Sequence, residues 1–117
     1  IDIVIKYKGY KMIGPFRALI DSGADYNLFP ADICRTLGVI LKDGQKSAVV
    51  GVGGKKIITY RHFDVKIFVE GHPINTFVDF SSAYEDTLIL GQQGFFDKFG
   101  SIKFLREREE LVLELRQ

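Results

Sequence analysis

The sequence predicts a mainly β, closed barrel-like domain carrying one or two short helices. Three observations lead there. Apolar residues recur at the two-residue period of a strand, as in "IDIVIKY", where Ile1, Ile3, Ile5 and Tyr7 share one face. Turn-forming residues interrupt the chain often. No stretch keeps a helical period long enough to build a bundle. At 117 residues, the chain suits one domain, 1–117, around one core.

The other elements follow in order. "GYKMIGPFRALI" reads as the next strands, with Gly14-Pro15 as punctuation. "PADICRTLG" begins with a proline, favoured in the first turn of a helix, and ends on Gly38, favoured as a stop, which predicts a short helix. "SAVVGVGGKKIITYR" is apolar, then glycine-rich, then β-branched, and reads as a hairpin with its tip at residues 51–54. "FDVKIFVEGHPINTFVDF" reads as two more strands turning at residues 70–73. "GQQGFFDKFG" predicts one or two helical turns, with Phe95, Phe96 and Phe99 in the core. "SIKFLREREELVLEL" closes the chain as a hairpin with a charged tip.

Composition excludes several classes. A chain 46% hydrophobic and 26% charged is neither disordered nor membrane-embedded, and it has no apolar run of membrane-spanning length. Its 16 basic and 15 acidic residues leave a net charge of +1, with no electrostatic footprint for nucleic acid. Lys55-Lys56 and the Arg106–Arg108 region read as solvated turns. Cys34 is the only cysteine; it makes no internal disulfide, is compatible with a reducing compartment such as the cytoplasm, and reads as a buried structural thiol. His62 and His72 lack metal-ligand spacing, so neither metal nor cofactor is expected. The chain begins without Met, which fits a processed product or an excised domain.

The informative stretch is "ALIDSGADYNLFP", residues 18–30. An apolar strand runs straight into a carboxylate, which is costly to desolvate unless it is paired or used. One reading is an Asx turn in which Asp21 caps the following segment. The other is paired-carboxylate chemistry: two close carboxylates share a proton, one acting as base on a water and the other as acid on a carbonyl. Gly23 then supplies the tight turn, and the Ser22 hydroxyl a bond that stiffens it. Ser22 as a nucleophile lacks a Gly-x-Ser-x-Gly elbow. "GVGG" lacks the Lys-Ser/Thr ending of a phosphate cradle. Asp-Ser-Gly occurs once, Asp25 lies past the turn, and neither Asp79 nor Asp86 precedes a glycine turn. A pair therefore requires two copies meeting on a two-fold axis. There is also an internal echo. "DTLILGQQGFFDKFG" repeats the order of apolar strand, glycine turn and short helix found after residue 18.

"ALIDSGA" with the later "LILG" resembles the retropepsins, the retroviral-type aspartic proteases. Their hydrophobic-hydrophobic-Asp-(Thr/Ser)-Gly-Ala motif is matched by Leu19 to Ala24. Their hydrophobic-hydrophobic-Gly motif is matched by Ile89, Leu90 and Gly91, and the flap hairpin in place by Val49 to Lys56. The resemblance implies a retropepsin (acid protease) fold and a homodimeric endopeptidase acting on polypeptide substrates. Asp21 is then catalytic. Ser22, Gly23, Ala24, Ile89, Leu90 and Gly91 support the site, and Val50, Gly51, Val52, Gly53 and Gly54 form the substrate-binding flap. Apolar walls are expected from Val50, Val52, Ile57 and Ile58. Ala24 offers no hydroxyl to the carboxylate, which implies a bell-shaped rate profile peaking in mildly acidic to near-neutral solution. The sequence departs from the retroviral pattern in three places: Ser22 replaces the commoner Thr, "QQGFFDKF" replaces Arg-Asn or Arg-Asp after Gly91, and the chain ends in a long hairpin, as in cellular and bacterial relatives. The alternative is a catalytically weak or inactive module of the same fold that dimerises or binds peptide within a larger protein.

Overall fold

A computed structural model describes residues 1–9, 11–50, 54–83, 87–105 and 110–116. The alternating segments become strands β1 (Asp2–Tyr7), β2 (Ile13–Ile20), β3 (Leu28–Pro30), β4 (Gln45–Val50), β5 (Lys56–Val69), β6 (His72–Ser81), β7 (Leu88–Leu90), β8 (Phe99–Leu105) and β9 (Glu110–Leu115). One helix, α1 (Ala31–Thr36), follows Pro30 directly, and short 3-10 turns lie at Leu41–Asp43 and Phe96–Lys98. The mainly β class with few short helices is the one the sequence predicts.

The principal sheet runs in the order β1-β2-β7-β3-β6-β5-β4, and a further β1–β5 pairing closes its first six strands into a barrel. Closure is possible because both faces of β1 edge find partners: Asp2 pairs Arg17 on β2, and Val4 pairs Phe68 on β5. β4 stays outside the ring, paired to β5 alone. β8 and β9 form a separate two-stranded sheet that rests on the barrel through Phe99, Ile102 and Leu113. The barrel interior takes the inward residues of every strand, among them Ile3, Ile5, Phe29, Val65, Ile67, Val78, Phe80, Leu88 and Leu90. Phe95 and Phe99 stack at 4.9 Å beneath it, in the core role their spacing predicts.

Two boundaries differ from the sequence expectation. Gly14-Pro15 does not end a strand; β2 continues through it. The dipeptide sits where the β1–β2 register slips between Ile3 and Ile5, a bulge in which a residue without an amide hydrogen is tolerated. Likewise the residues around His62 and Phe63 belong to one long strand, β5, rather than two. A register shift between His62 and Val65, with Asp64 at φ 63°, inserts an extra residue. Phe63 and Asp64 are thus exposed in succession, and Val65 turns back inward.

Candidate active site

β2 and β7 run parallel, with Ala18 beside Leu88, Leu19 beside Ile89 and Ile20 beside Leu90. The two echoing segments of the sequence therefore lie side by side and end at the same level. Each is followed at once by its turn, and the Asp21 amide donates to the Leu90 carbonyl at 3.0 Å. This brings together Asp21, Ser22, Gly23 and Ala24 with Ile89, Leu90 and Gly91.

The Asp21 turn closes on itself. The Gly23 amide donates to Asp21 Oδ1 at 2.9 Å, and the Ala24 amide to the Asp21 carbonyl at 3.1 Å. A β-carbon on Gly23 would lie 3.2 Å from Asp21 Oδ1, so the glycine lets the carboxylate fold over the turn. Asp21 stays partly exposed. The closing bonds come from the carboxylate and the backbone. Ser22 is exposed, and its carbonyl accepts Gln92 Nε2 at 2.8 Å. Its hydroxyl closes no bond of the turn, unlike the stiffening role read from the sequence.

The facing turn is sewn to the first. Gln92 donates its amide to the Ala24 carbonyl at 2.9 Å, and Gln93 donates to the Asp25 carbonyl at 2.9 Å. Gly91 is required by close approach: a β-carbon there would stand 2.6 Å from the Tyr26 carbonyl carbon and 2.8 Å from the Ala24 carbonyl oxygen. Both atoms are backbone and cannot rotate away. Gln92 and Gln93, where the sequence departs from Arg-Asn or Arg-Asp, thus still bridge the two loops through backbone and amide groups.

Sequence reasoning missed Asn27, the residue that clamps this junction. It is fully buried; its Oδ1 accepts the Gly91 amide at 3.1 Å, and its Nδ2 donates to the Phe77 carbonyl at 3.0 Å. A buried side-chain amide with both ends satisfied is costly to disturb. The available signal was an asparagine directly before the apolar "LFP" of β3. Also missed was the pair formed by Arg61 and Asp79. Arg61 Nε lies 2.7 Å from Asp79 Oδ1 and Nη2 3.1 Å from Oδ2. The hydrogen bond to Asp79 raises the Arg61 pKa further, so the guanidinium is charged at every working pH.

The hairpin expected over the site is present in its described part: β4 and β5 pair from Gln45 with Arg61 to Val50 with Lys56. Val50 is 74% exposed, and Gly54 sits at φ +78° with open space around it. Gly51, Val52 and Gly53 lie outside the described residues. A cavity of about 1310 Å³ lies between the barrel wall at Ala18, Ile20 and Ile74 and the β8–β9 hairpin at Leu111 and Leu113. Cys34 is buried as expected, and burial pushes its thiol up to about 11.

No protein-family model matches the chain. No curated protein matches it either. Among solved structures it is similar to the EIAV protease complexed with the inhibitor HBY-793, with a TM-score of 0.58 and 24% identity over 79% of each chain. At that identity the likeness is one of architecture: the chain adopts a retropepsin-like fold, the fold of an aspartic protease.

Proposed function

We propose that the protein is a homodimeric aspartic endopeptidase in which Asp21 of each of two copies flanks one water. The observation that carries this reading is the Asp21 turn itself: a partly exposed carboxylate at the end of a barrel strand, locked by Gly23 and by the parallel strand that ends in Gly91. One protomer offers one such carboxylate, so the second comes from its copy. Of the two facing carboxyls, the ionised one takes a proton from the water, whose oxygen attacks the peptide carbonyl carbon. The protonated one gives its proton to the carbonyl oxygen. The tetrahedral intermediate then collapses with proton transfer to the leaving amine. The β4–β5 hairpin serves as the flap, and the cleft walls are completed only when two protomers face each other.

The test is cleavage of a mixed peptide library by wild type and Asp21→Asn, with and without a statine-type transition-state mimic. Asparagine keeps the shape of the turn and cannot share the proton. Cleavage should fall by about 10³-fold or more, with an unchanged circular dichroism spectrum. Specific activity of wild type should rise with protein concentration wherever monomer is populated. If Asp21→Asn keeps a tenth of the wild-type rate, or if monomer shown by sedimentation is fully active, the reading fails.

A further inference from the structure

We infer that Arg61 and Asp79 are a positioning pair that holds the Asp21 turn in place and ties it to the base of the β4–β5 hairpin; the inference rests on the peptidase reading for its kinetic part. Asp79 is 2% exposed, and a carboxylate so buried is stable only with a partner that fills its lone pairs. Arg61 supplies this with a two-pronged contact at 2.7 and 3.1 Å, a geometry that a guanidinium makes and an ammonium does not.

Two aromatic rings pack against the guanidinium. Its central carbon lies 4.6 Å from the centre of the Tyr26 ring and 4.2 Å from that of Phe77. These neighbours are the ones that frame Asn27. Tyr26 precedes it, the Phe77 carbonyl accepts its Nδ2, and the Asp79 amide donates to its carbonyl at 3.0 Å. Asn27 in turn holds Gly91, and the Tyr26 carbonyl is among the atoms that leave Gly91 no room for a side chain. Moving the guanidinium therefore releases both flanks of the clamp, and the slack reaches Gly91 and, through Leu90, the Asp21 amide. On the β5 backbone Arg61 lies opposite Gln45, the first residue of β4. One residue thus links β4, through the backbone of β5, to the floor of the site.

A buried ion pair is replaceable by apolar side chains with little or no loss of stability, so its presence here is better matched to placement than to stability. That separates the two roles experimentally. The variants are R61K and the double variant R61M/D79L. The readouts are the melting temperature, the amide resonances of Gly91 and Gly23, and kcat and KM on a peptide cleaved by wild type. The expected result for the double variant is a near-wild-type melting temperature, shifted Gly91 and Gly23 resonances, and kcat lowered about 10- to 100-fold with KM within about 3-fold. R61K, which keeps the charge and loses the fork, should show the same resonance shifts and a smaller loss of kcat. If R61M/D79L does not fold, R61K alone decides by the same readouts. Unmoved resonances with unchanged kcat in a folded variant would overturn the proposal. If wild type cleaves no peptide, the peptidase reading falls, and the Gly91 and Gly23 resonances still decide whether this pair positions the turn.

Discussion

Between residues 21–27 and 90–93, each close approach is backed by a hydrogen bond or by a backbone atom that leaves no room. The Asp21, Gly91, Gln92 and Gln93 amides all find acceptors across the junction, and Asn27 closes it from beneath. The outer part of the β4–β5 hairpin is different: β4 pairs with one strand only and leaves Gln45, Lys46, Ser47, Ala48 and Val50 exposed. Both regions carry residues that the sequence assigns to one site. On the proposed reading, the difference matches two tasks. A proton-sharing carboxylate must be held within a fraction of an ångström, which requires a floor that is over-determined. A segment that admits a peptide chain must have few attachments to break.

The sharpest way to break this comparison is to damage the floor at its tightest point. Gly91→Ala places a methyl group against the Tyr26 and Ala24 carbonyls. The expected cost is about 2–3 kcal/mol, with a lowered melting temperature and cleavage reduced together. Asn27→Ala leaves the Gly91 amide and the Phe77 carbonyl without their side-chain partners. Its expected cost is about 2 kcal/mol, measured by urea denaturation. If either substitution proves neutral, the junction has slack and the floor is not over-determined.

These two residues also show how far the sequence could be read. Asp21 to Ala24 and Ile89 to Gly91 were legible because each motif is a local pattern: strand period, carboxylate and glycine turn within a few residues. The short helix after Pro30 and the hairpin pairing of β4 with β5 were legible for the same reason. Asn27, Arg61 and Asp79 were not. The partners of Asn27 lie 64 and 50 residues away, near strands β7 and β6 that only the sheet order sets beside β3, and Arg61 and Asp79, 18 residues apart, are set opposite each other by the bulged β5–β6 register. The continuity of β5 was hidden by its bulge, since an inserted residue breaks the two-residue period that identifies a strand.

A milder disturbance belongs at the hairpin. Gly54→Val meets open space, yet valine at φ +78° is strained by about 1–2 kcal/mol. Because β4 hangs from β5 alone, that strain should relax locally and lower the melting temperature by a few degrees at most. Turnover should slow several-fold, while the Gly91 amide resonance stays in place. Hydrogen exchange across residues 45–50 should slow when a statine-type peptide is bound. A large global destabilisation by Gly54→Val, or exchange that ignores the inhibitor, would mean that the hairpin is part of the floor.

The smallest expected effect comes from Cys34, which lies on α1, fully buried in the hydrophobic core. Its Sγ points at the Val39 carbonyl, 3.4 Å away. Burial disfavours the thiolate and pushes the thiol up to about 11. The sign of the pH effect follows. The native state holds this proton more tightly than the unfolded chain, whose thiol titrates near about 8.5. The resulting stability is complete below that pH and is lost as pH rises toward 11. Wild type should therefore lose stability between these limits, by about 3 kcal/mol at most. Cys34→Ala should show a flatter alkaline limb from a slightly lower starting value. The same thiol reports on the core around α1 at neutral pH. Alkylation requires thiolate and access, so modification of native protein should be limited by rare opening and be much slower than amide exchange in residues 45–50. Were Cys34 to react as fast as those amides exchange, the core around α1 would be opening as freely as the hairpin, and the contrast between a held interior and a loosely attached hairpin would vanish.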